Sequence, residues 1–396
     1  MSQLPFNSCQ YFLNKDRPLI ESHPLLAYNQ DSPVDQALLP SLQPSRRGTL
    51  GLEEHVSAAR LWESLYESTS NLQVQGRAMI TLLVADMRCF LGSRGTALPL
   101  YLELSQVLQD EKFTRWVKKS LERYNKEVGR ELHGYKTSTT FTPSQRFKPE
   151  VANDSFPYCR VPQAKLRELR GLWASTGDPQ AVLDQFCNFH CLESNALEGK
   201  VSFNYSSTTM LVQFGFFAQV QGLTGEPEGD VQDRASAIEI LKDTRQALDV
   251  VFQLLRRNTV QGKISLNVST ILELHRLMMA SSRLLRASKR GEQRISYTNI
   301  GMTRQTTETN VTVATGPVKV QFCPFDSVDE ELGRFCGKFN ELVNAADMDP
   351  FAAAAWISHV FLAIHPFEVC PLGMVVIICL RSLSTCRTGT EGSRES

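Results

Sequence analysis

The sequence predicts a mainly α-helical protein that contains one small β-hairpin. Apolar residues recur at three- and four-residue steps in several long segments, for example at Leu52, Val56, Ala59, Trp62 and Tyr66. This is the period of an amphipathic helix. Apolar and polar residues alternate, as in a strand, within a region rich in Gly and Pro between residues 291 and 325. A hairpin among packed helices follows from these two patterns.

Composition excludes several classes of function. The 396 residues allow about two to three domains, and a hydrophobic content of 42% is enough for a sizeable core. The 42 Lys and Arg residues balance 42 Asp and Glu residues, so net charge favours neither a nucleic-acid partner nor a membrane surface. Ten cysteines show no metal-type pairing; Cys187, His190 and Cys191 lie close together but lack a second pair, which favours free thiols in a reducing compartment.

The termini indicate a soluble, cytoplasmic or otherwise intracellular protein. The segment Met1 to Asn7 has no basic stretch followed by an apolar one, so it does not resemble a signal peptide. The apolar run from Met374 to Leu380 is far shorter than the ~20 residues that span a bilayer.

The chain divides into four segments by pattern. Residues 1–50, rich in Pro, Ser, Gln and Asn, predict a poorly ordered lead-in. Residues 51–160 predict an N-terminal helical region, with helices from 52, at 78–91 and at 102–128, and then a linker over 134–161. Residues 161–368 form the next domain, with helices at 163–174, 178–192 and 231–257. Residues 369–396 lose this periodicity.

Capping residues predict three further helix starts. Thr270 with Glu273 fits a capping box that opens a helix through Met279, and Ser327 with Glu330 fits another that opens a helix at 328–345. Asp349 and Pro350 supply an N-cap and an N1 proline for a helix over 350–364. This last helix leads directly into His365-Pro366-Phe367-Glu368.

Several short motifs occur in a specific order between about residues 190 and 368. They are Ser194-Asn195-Ala196-Leu197-Glu198-Gly199, the Leu274-His275 helix, Gly291-Glu292-Gln293-Arg294, Phe322 to Phe325, and His365-Pro366-Phe367. In this order the chain resembles Fic (Fido) domain proteins. The resemblance implies a Fic-type helical core with a β-hairpin flap, preceded by an N-terminal helical region. It also implies transfer of AMP from ATP, with Mg²⁺, to a hydroxyl side chain of a target protein.

The resemblance makes His365 the general base. A neutral imidazole can take the proton of a Ser, Thr or Tyr hydroxyl as it attacks phosphorus. The alternative is a structural histidine at a helix C-terminus, a position that the helix dipole favours.

The resemblance also makes Ser194, Glu198 and Gly199 an inhibitory motif. In the family the Glu reaches an Arg of the catalytic motif and blocks productive ATP binding. The alternative is a surface Glu followed by a glycine C-cap. The hairpin within 291–325 corresponds to the flap on which the protein substrate docks, the alternative being a purely structural hairpin.

The catalytic motif breaks after Glu368. In the family it continues as an acidic residue, which binds Mg²⁺, and then Gly-Asn-Gly-Arg, which holds phosphates. Here Val369 stands at the acidic position, and Cys370-Pro371-Leu372-Gly373 follows. No nucleotide-binding or metal-binding residue is therefore intact, and we expect ATP and Mg²⁺ binding, and activity, to be impaired.

The residues after the break suggest a frame error. The nucleotides CTGGGAATGGTCGT encode Gly-Asn-Gly-Arg when read from the third base. Read from the first base, they encode Leu-Gly-Met-Val, and the remaining GT is the first two bases of a valine codon. This peptide matches Leu372 to Val376. We therefore interpret 369–396 as an aberrant, out-of-frame tail. If the tail is genuine, the alternatives are a non-catalytic protein-interaction module, a de-adenylylating enzyme, or a core that does not fold well.

Overall fold

The computed structural model describes residues 14–369 apart from 15, 21, 28–30, 43–51, 70–75, 143, 145, 149–160, 176–177, 218–221, 232, 262–264, 290–291, 316–317 and 346–347. The chain forms two compact units. The first comprises Met1–Thr137, Arg283–Asn299 and Thr306–Glu308, and the second comprises Ser138–Ser282, Ile300–Gln305 and Thr309–Ser396. This division differs from the predicted contiguous segments 51–160 and 161–368, because a hairpin from the middle of the chain belongs to the first unit.

The first unit is a helical layer with a β-hairpin. Its elements are α1 (Pro33–Leu42), α2 (Leu52–Ser68), α3 (Arg77–Phe90), α4 (Arg94–Leu108), α5 (Glu111–Thr137), β1 (Leu284–Lys289) and β2 (Glu292–Tyr297). β1 and β2 are antiparallel, with Leu284 opposite Tyr297. Trp62, Tyr101, Phe113 and Leu284 are fully buried in its core.

A buried carboxylate joins three elements of the first unit. Glu63 on α2 accepts hydrogen bonds from Arg88 at 2.8 and 2.7 Å, from Arg283 at 3.1 Å and from Tyr297 at 2.8 Å. Burial alone would raise the pKa of the Glu63 carboxyl, but the hydrogen bonds and charge of Arg88, together with Arg283, lower it. The pairing therefore keeps a buried charge satisfied and ties α2 and α3 to the hairpin.

Two predictions for the N-terminal region need correction. The single helix predicted at 102–128 is two helices, because Gln109 adopts a left-handed conformation with φ 53° and ends α4. Asp110 then accepts the Phe113 N–H at 2.8 Å and starts α5. In the lead-in predicted at 1–50 as poorly ordered, residues 1–13 and 43–50 lie outside the described residues, whereas the described part contains a 3-10 turn at Pro24–Leu26 and α1, with Leu26 and Leu38 fully buried.

The second unit is also mainly helical. It contains α6 (Gln163–Ala174), α7 (Pro179–Leu197), α8 (Tyr205–Phe214), α9 (Arg234–Gln261), α10 (Val268–Met278), β3 (Thr312–Thr315), β4 (Val318–Gln321), α12 (Val328–Val343) and α13 (Pro350–Ile364). The four-residue helix α11 (Arg304–Thr307) begins in this unit and ends in the first. β3 and β4 form an antiparallel hairpin. Fully buried Phe335, Phe339, Phe361 and Phe367 lie in its core.

The helix caps of the second unit confirm one prediction and correct two. Asp349 caps α13 by accepting the N–H groups of Phe351 and Ala352 at 2.9 and 3.1 Å. The capping box of Thr270 is wrong, since Asn267 is the N-cap of α10 and accepts the Thr270 N–H at 2.8 Å. Ser327 occupies the N-cap position of α12, but its side chain makes no capping hydrogen bond.

The fold class is confirmed as mainly α with small antiparallel hairpins. None of the helices in the described ranges has both the length and the apolar character needed to cross a bilayer.

Candidate active site

His365 lies at the turn that ends α13. Its N–H still bonds to the Phe361 carbonyl at 2.9 Å, but its backbone is left-handed, with φ 49° and ψ 65°. Pro366 cannot continue a helix and disfavours the helical conformation for the residue before it. The sequence thus turns the chain away from the helix axis at the residue proposed as the base.

The hydrogen bonds of His365 fix its tautomer. The ring Nδ1 lies 2.9 Å from the Phe367 carbonyl oxygen. Because a carbonyl only accepts, Nδ1 carries the proton and Nε2 keeps its lone pair. The ring also contacts Phe322, with centroids 4.3 Å apart. Burial, with a smaller effect of the Arg304 charge, lowers the pKa of His365 to about 4, so the imidazole is neutral at pH 7.

Arg304 holds the backbone around His365. Its fully buried guanidinium donates from Nε to the His365 carbonyl at 2.6 Å and from Nη2 to the Ile364 carbonyl at 3.0 Å. Its own N–H donates to the Pro366 carbonyl at 2.8 Å. Three consecutive carbonyls of the turn are therefore bound by one residue.

His275 on α10 holds the other end of the turn. Its ring is parallel to the Phe367 ring, with centroids 3.8 Å apart and an interplanar angle of 1°. The Gly301 N–H donates to Nδ1 at 2.9 Å, so the proton is on Nε2, which donates to the Val369 carbonyl at 3.0 Å. Burial lowers the pKa of His275 to about 4, although its bond to Val369 opposes this shift.

A third contact comes from the segment before β3. The Thr309 hydroxyl donates to the Glu368 carboxylate at 3.2 Å. Each residue of the turn 365–369 therefore takes part in at least one hydrogen bond, and Phe367 itself is a fully buried anchor, as predicted.

The predicted inhibitory residues form the C-terminus of α7. Glu198 is its C-cap and Gly199 follows with φ 67°. The Gly199 N–H bonds to the Ala196 carbonyl at 2.9 Å and the Lys200 N–H to the Asn195 carbonyl at 3.0 Å, the two bonds of a Schellman motif. Ser194 donates to the Cys191 carbonyl of its own helix at 3.3 Å. The glycine at the end of α7 therefore terminates the helix, as the structural alternative for this motif expects.

A small cavity borders the C-terminal end of α7. Ser194, Glu198 and Lys200 line it together with Thr244 on α9 and Met278 on α10, and its volume is about 10 Å³. This is room for about one water molecule. His365 is not among its lining residues, so this cavity does not unite the predicted base with the predicted inhibitory Glu.

The region 291–325, predicted as one flap, contains parts of two hairpins. β2 pairs with β1, which starts before the predicted region, and belongs to the first unit. β3 and β4 form the hairpin of the second unit, with Thr312 opposite Gln321. Arg304 connects both ends of the β3–β4 hairpin to the turn that carries His365, by hydrogen bonds to the carbonyls of Thr309 and Cys323 and to that of His365.

The turn does not fit Mg²⁺. At the position where the family has an acidic ligand, Val369 offers no side-chain oxygen, and its carbonyl accepts a bond from His275. Among residues whose positions are described, there is no group of three or more His, Cys, Asp or Glu side chains that could hold a metal. The predicted loss of the metal ligand stays a prediction, and Cys370 to Gly373 lie outside the described residues.

Sequence reasoning missed Arg304 and gave His275 no role. Arg304 sits in a polar stretch without periodicity, so no local pattern marks it. His275 does carry a signal: it shares the apolar face of α10 with Ile271, Leu274 and Met278. A histidine on such a face is buried, and buried polar groups need partners.

Comparisons with known proteins give structural neighbours only. No protein-family profile matches the chain, and no curated protein matches it. Among solved structures, it is similar to a Fic domain-containing signaling protein from Bacteroides thetaiotaomicron, with 17% identity and a TM-score of 0.41 over 56% of this chain and 73% of that one. It is also similar to Fic-1 from C. elegans, with 13% identity and a TM-score of 0.32 over 89% of this chain and 83% of that one. Both of these neighbours are named as Fic proteins.

Proposed function

We propose that this chain carries the proton-accepting half of a Fic-type protein adenylyltransferase, and that the sequence lacks the half that holds the nucleotide. One observation supports the first part above all. His365 donates from Nδ1 to the Phe367 carbonyl, which leaves Nε2 unprotonated on a neutral ring. A neutral imidazole of fixed tautomer is what a hydroxyl nucleophile requires of its base.

In the proposed reaction a target hydroxyl attacks the α-phosphorus of ATP. The new oxygen–phosphorus bond forms, the bond to pyrophosphate breaks, and the hydroxyl proton passes to Nε2 of His365. A positioned base of this kind contributes ~10²–10⁴-fold. The low pKa of His365, caused first by burial and then by Arg304, means that the ring is neutral at pH 7 before the reaction.

The second part of the proposal follows from Val369. A phosphoryl-transfer site needs cations or backbone N–H groups that neutralise the phosphates. Val369 supplies no ligand, and the residues after it do not spell the phosphate-binding sequence of the family. We therefore expect little or no AMP transfer by the chain as it stands.

The test compares this chain with a motif-restored chain under labelled ATP, measuring label incorporated into protein. The restored chain carries Val369→Asp, Cys370→Gly, Pro371→Asn, Leu372→Gly and Gly373→Arg. We expect transfer by the restored chain alone, and a loss of at least ~100-fold in its His365→Ala variant. His359→Ala, on the exposed side of the same helix, is the control and keeps activity.

Two outcomes would contradict the proposal. Absence of transfer by a folded restored chain would favour the non-catalytic interaction module. Equal, His365-dependent transfer by both chains would show that the phosphate-binding loop is assigned wrongly. Release of AMP from a pre-labelled target, measured in the same samples, separates the de-adenylylating alternative.

A further inference from the structure

We propose that Arg304 is the positioning residue of the His365 base, and that its guanidinium sets the base and the β3–β4 hairpin in one fixed arrangement. The proposal rests on the proposed function in treating His365 as a base. The geometry that carries it lies within the second unit and does not depend on a bound nucleotide.

The first step is the end of α13. The last carbonyls of a helix have no partner within the helix, and they form the negative end of its dipole. Arg304 donates to two of them, those of Ile364 and His365, at 3.0 and 2.6 Å. It therefore provides hydrogen bonds for two carbonyls at the helix end and helps to hold His365 in its left-handed conformation.

The second step is the hairpin. Thr309 precedes β3 and Cys323 follows β4, so their carbonyls mark the two stems. Arg304 donates from Nη1 to Thr309 at 3.1 Å and from Nη2 to Cys323 at 2.6 Å. One planar group thus binds both stems and the base-carrying turn.

The third step is charge. A histidine at a helix C-terminus is normally stabilised in its protonated form by the dipole. Here the positive guanidinium sits on the same carbonyls and opposes that effect, while burial acts in the same direction as Arg304. The arrangement therefore favours the neutral ring at rest, with the proton on Nδ1 and the lone pair on Nε2.

Lysine could not replace Arg304 in this role. An arginine presents donors on three nitrogens in a rigid plane, whereas a lysine presents a single ammonium nitrogen. Four carbonyls from three segments cannot be bound from one nitrogen at these positions. Arg304→Lys keeps the charge and separates positioning from simple electrostatics; Arg304→Gln removes the charge as well.

The experiment uses the full chain with ¹⁵N- and ¹³C-labelled histidine, and reads the tautomer and pKa of His365 by NMR. The His365→Gln spectrum identifies the signal. We expect a single Nδ1–H tautomer in the unmodified chain and a mixture of tautomers in Arg304→Lys. In Arg304→Gln we expect the pKa of His365 to rise from about 4 but to stay below its usual value, because burial, the larger cause of the shift, remains.

The control is Arg245→Lys. Arg245 is also a largely buried arginine of the second unit, bound to Asp184 at 2.6 Å and Asn188 at 2.6 Å. It should lower stability without altering the His365 signal. An unchanged His365 tautomer and pKa in folded Arg304 variants would show that Arg304 is only structural and would overturn the proposal.

Two further measurements cover the remaining cases. If the Arg304 variants do not fold, hydrogen exchange of the assigned Arg304 Nε–H is measured in the unmodified chain. Exchange as fast as that of exposed arginines overturns the proposal, and strong protection supports it.

In the motif-restored chain, Arg304→Lys should lower kcat by up to ~100-fold and leave the KM for ATP unchanged. A restored chain without activity would defeat the proposed function but leave the NMR result intact.

Discussion

His365 combines an unfavourable backbone with a fully specified ring. A left-handed conformation costs a residue with a side chain about 1 kcal/mol, so it persists only where its surroundings hold it. Here they do: Arg304 binds the carbonyls on either side, and the ring donates to Phe367. Backbone strain supports a functional interpretation of such a residue. At His365 the same turn brings the Phe367 carbonyl to Nδ1, so the lone pair is on Nε2.

Acid should destabilise the protein through histidines whose pKa is lowered by burial; His190 is one of them, but His275 and His365 have the largest shifts. The folded-state pKa values of His275 and His365 are lowered to about 4, chiefly by burial, while unfolded imidazoles titrate near 6.5. Above pH 6.5 both states are neutral, so these rings add no pH dependence. Between pH 6.5 and 4 only the unfolded state takes up protons. The free energy of unfolding therefore decreases as the pH is lowered through this range, by at most about 3 kcal/mol for each ring.

Urea unfolding at several pH values tests this expectation. His275→Gln should flatten the loss of stability between pH 6.5 and 4, relative to the unmodified chain. His359→Gln, which changes an exposed histidine, should leave the profile unchanged. A profile that stays flat in the unmodified chain would contradict the burial of both rings.

Three glycines should respond differently to alanine. Gly199 has φ 67° but a Cβ there would meet no atom within 4 Å, so Gly199→Ala should cost about 1 kcal/mol, from backbone strain alone. At Gly229, with φ 115°, a Cβ would lie 2.7 Å from the Gly199 and Lys200 carbonyl oxygens, so the cost should be clearly larger. Gly333→Ala, inside α12 with open space and no positive φ, should stabilise by ~0.5–1 kcal/mol. Chemical denaturation orders the three variants.

At the scale of elements, the turn after α7 shows why one motif supports two interpretations. The Schellman bonds of Gly199 and Lys200 require a left-handed residue at position 199, which glycine adopts most readily. They do not require a glutamate at 198, since only its backbone takes part. The glycine is therefore explained by the helix end, whereas these backbone bonds do not explain the choice of glutamate at 198.

Glu198→Ala in the motif-restored chain tests that function. If Glu198 pairs with the restored arginine and blocks ATP, its removal should raise AMP transfer by ~10–100-fold, the equivalent of a charge-assisted hydrogen bond. The C-cap bonds should persist in this variant, because they are made by the backbone. Glu193→Ala, at an exposed position of the same helix, is the matched control, and equal effects of the two variants would count against inhibition.

Elements set by local chemistry were predictable, and those set by distant contacts were not. Asp349 and Pro350 start α13 through bonds to the next residues, so the sequence alone was enough. The break at Gln109 depends on a left-handed residue within an otherwise continuous helical pattern. The Arg304 site is formed by carbonyls up to 61 residues away in the chain, which no local pattern records.

At the scale of the whole molecule, each unit has its own buried core. The first is built around Trp62 and Tyr101, and the second around Phe335 and Phe361. The sequence predicted contiguous segments because composition changes mark linkers, but residues 283–299 return to the first unit. A segment that rejoins an earlier core leaves no compositional boundary, which explains why β1 and the return of residues 283–299 to the first unit were not predicted.

The whole molecule also sets the last prediction, which concerns nucleotide binding. A ligand that binds only the folded state adds RT ln(1 + [L]/Kd) to the unfolding free energy, or about 2.7 kcal/mol at a hundredfold excess over Kd. Because Val369 replaces the acidic ligand and its carbonyl is bound by His275, Mg²⁺ and ATP together should not stabilise the chain as it stands.

The motif-restored chain should show a concentration-dependent rise in Tm with Mg²⁺ and ATP, and a smaller rise with ATP and EDTA. Differential scanning calorimetry measures both. Equal stabilisation of the two chains would mean that the nucleotide binds elsewhere on the molecule, since the turn at 369 would then make no difference to its affinity.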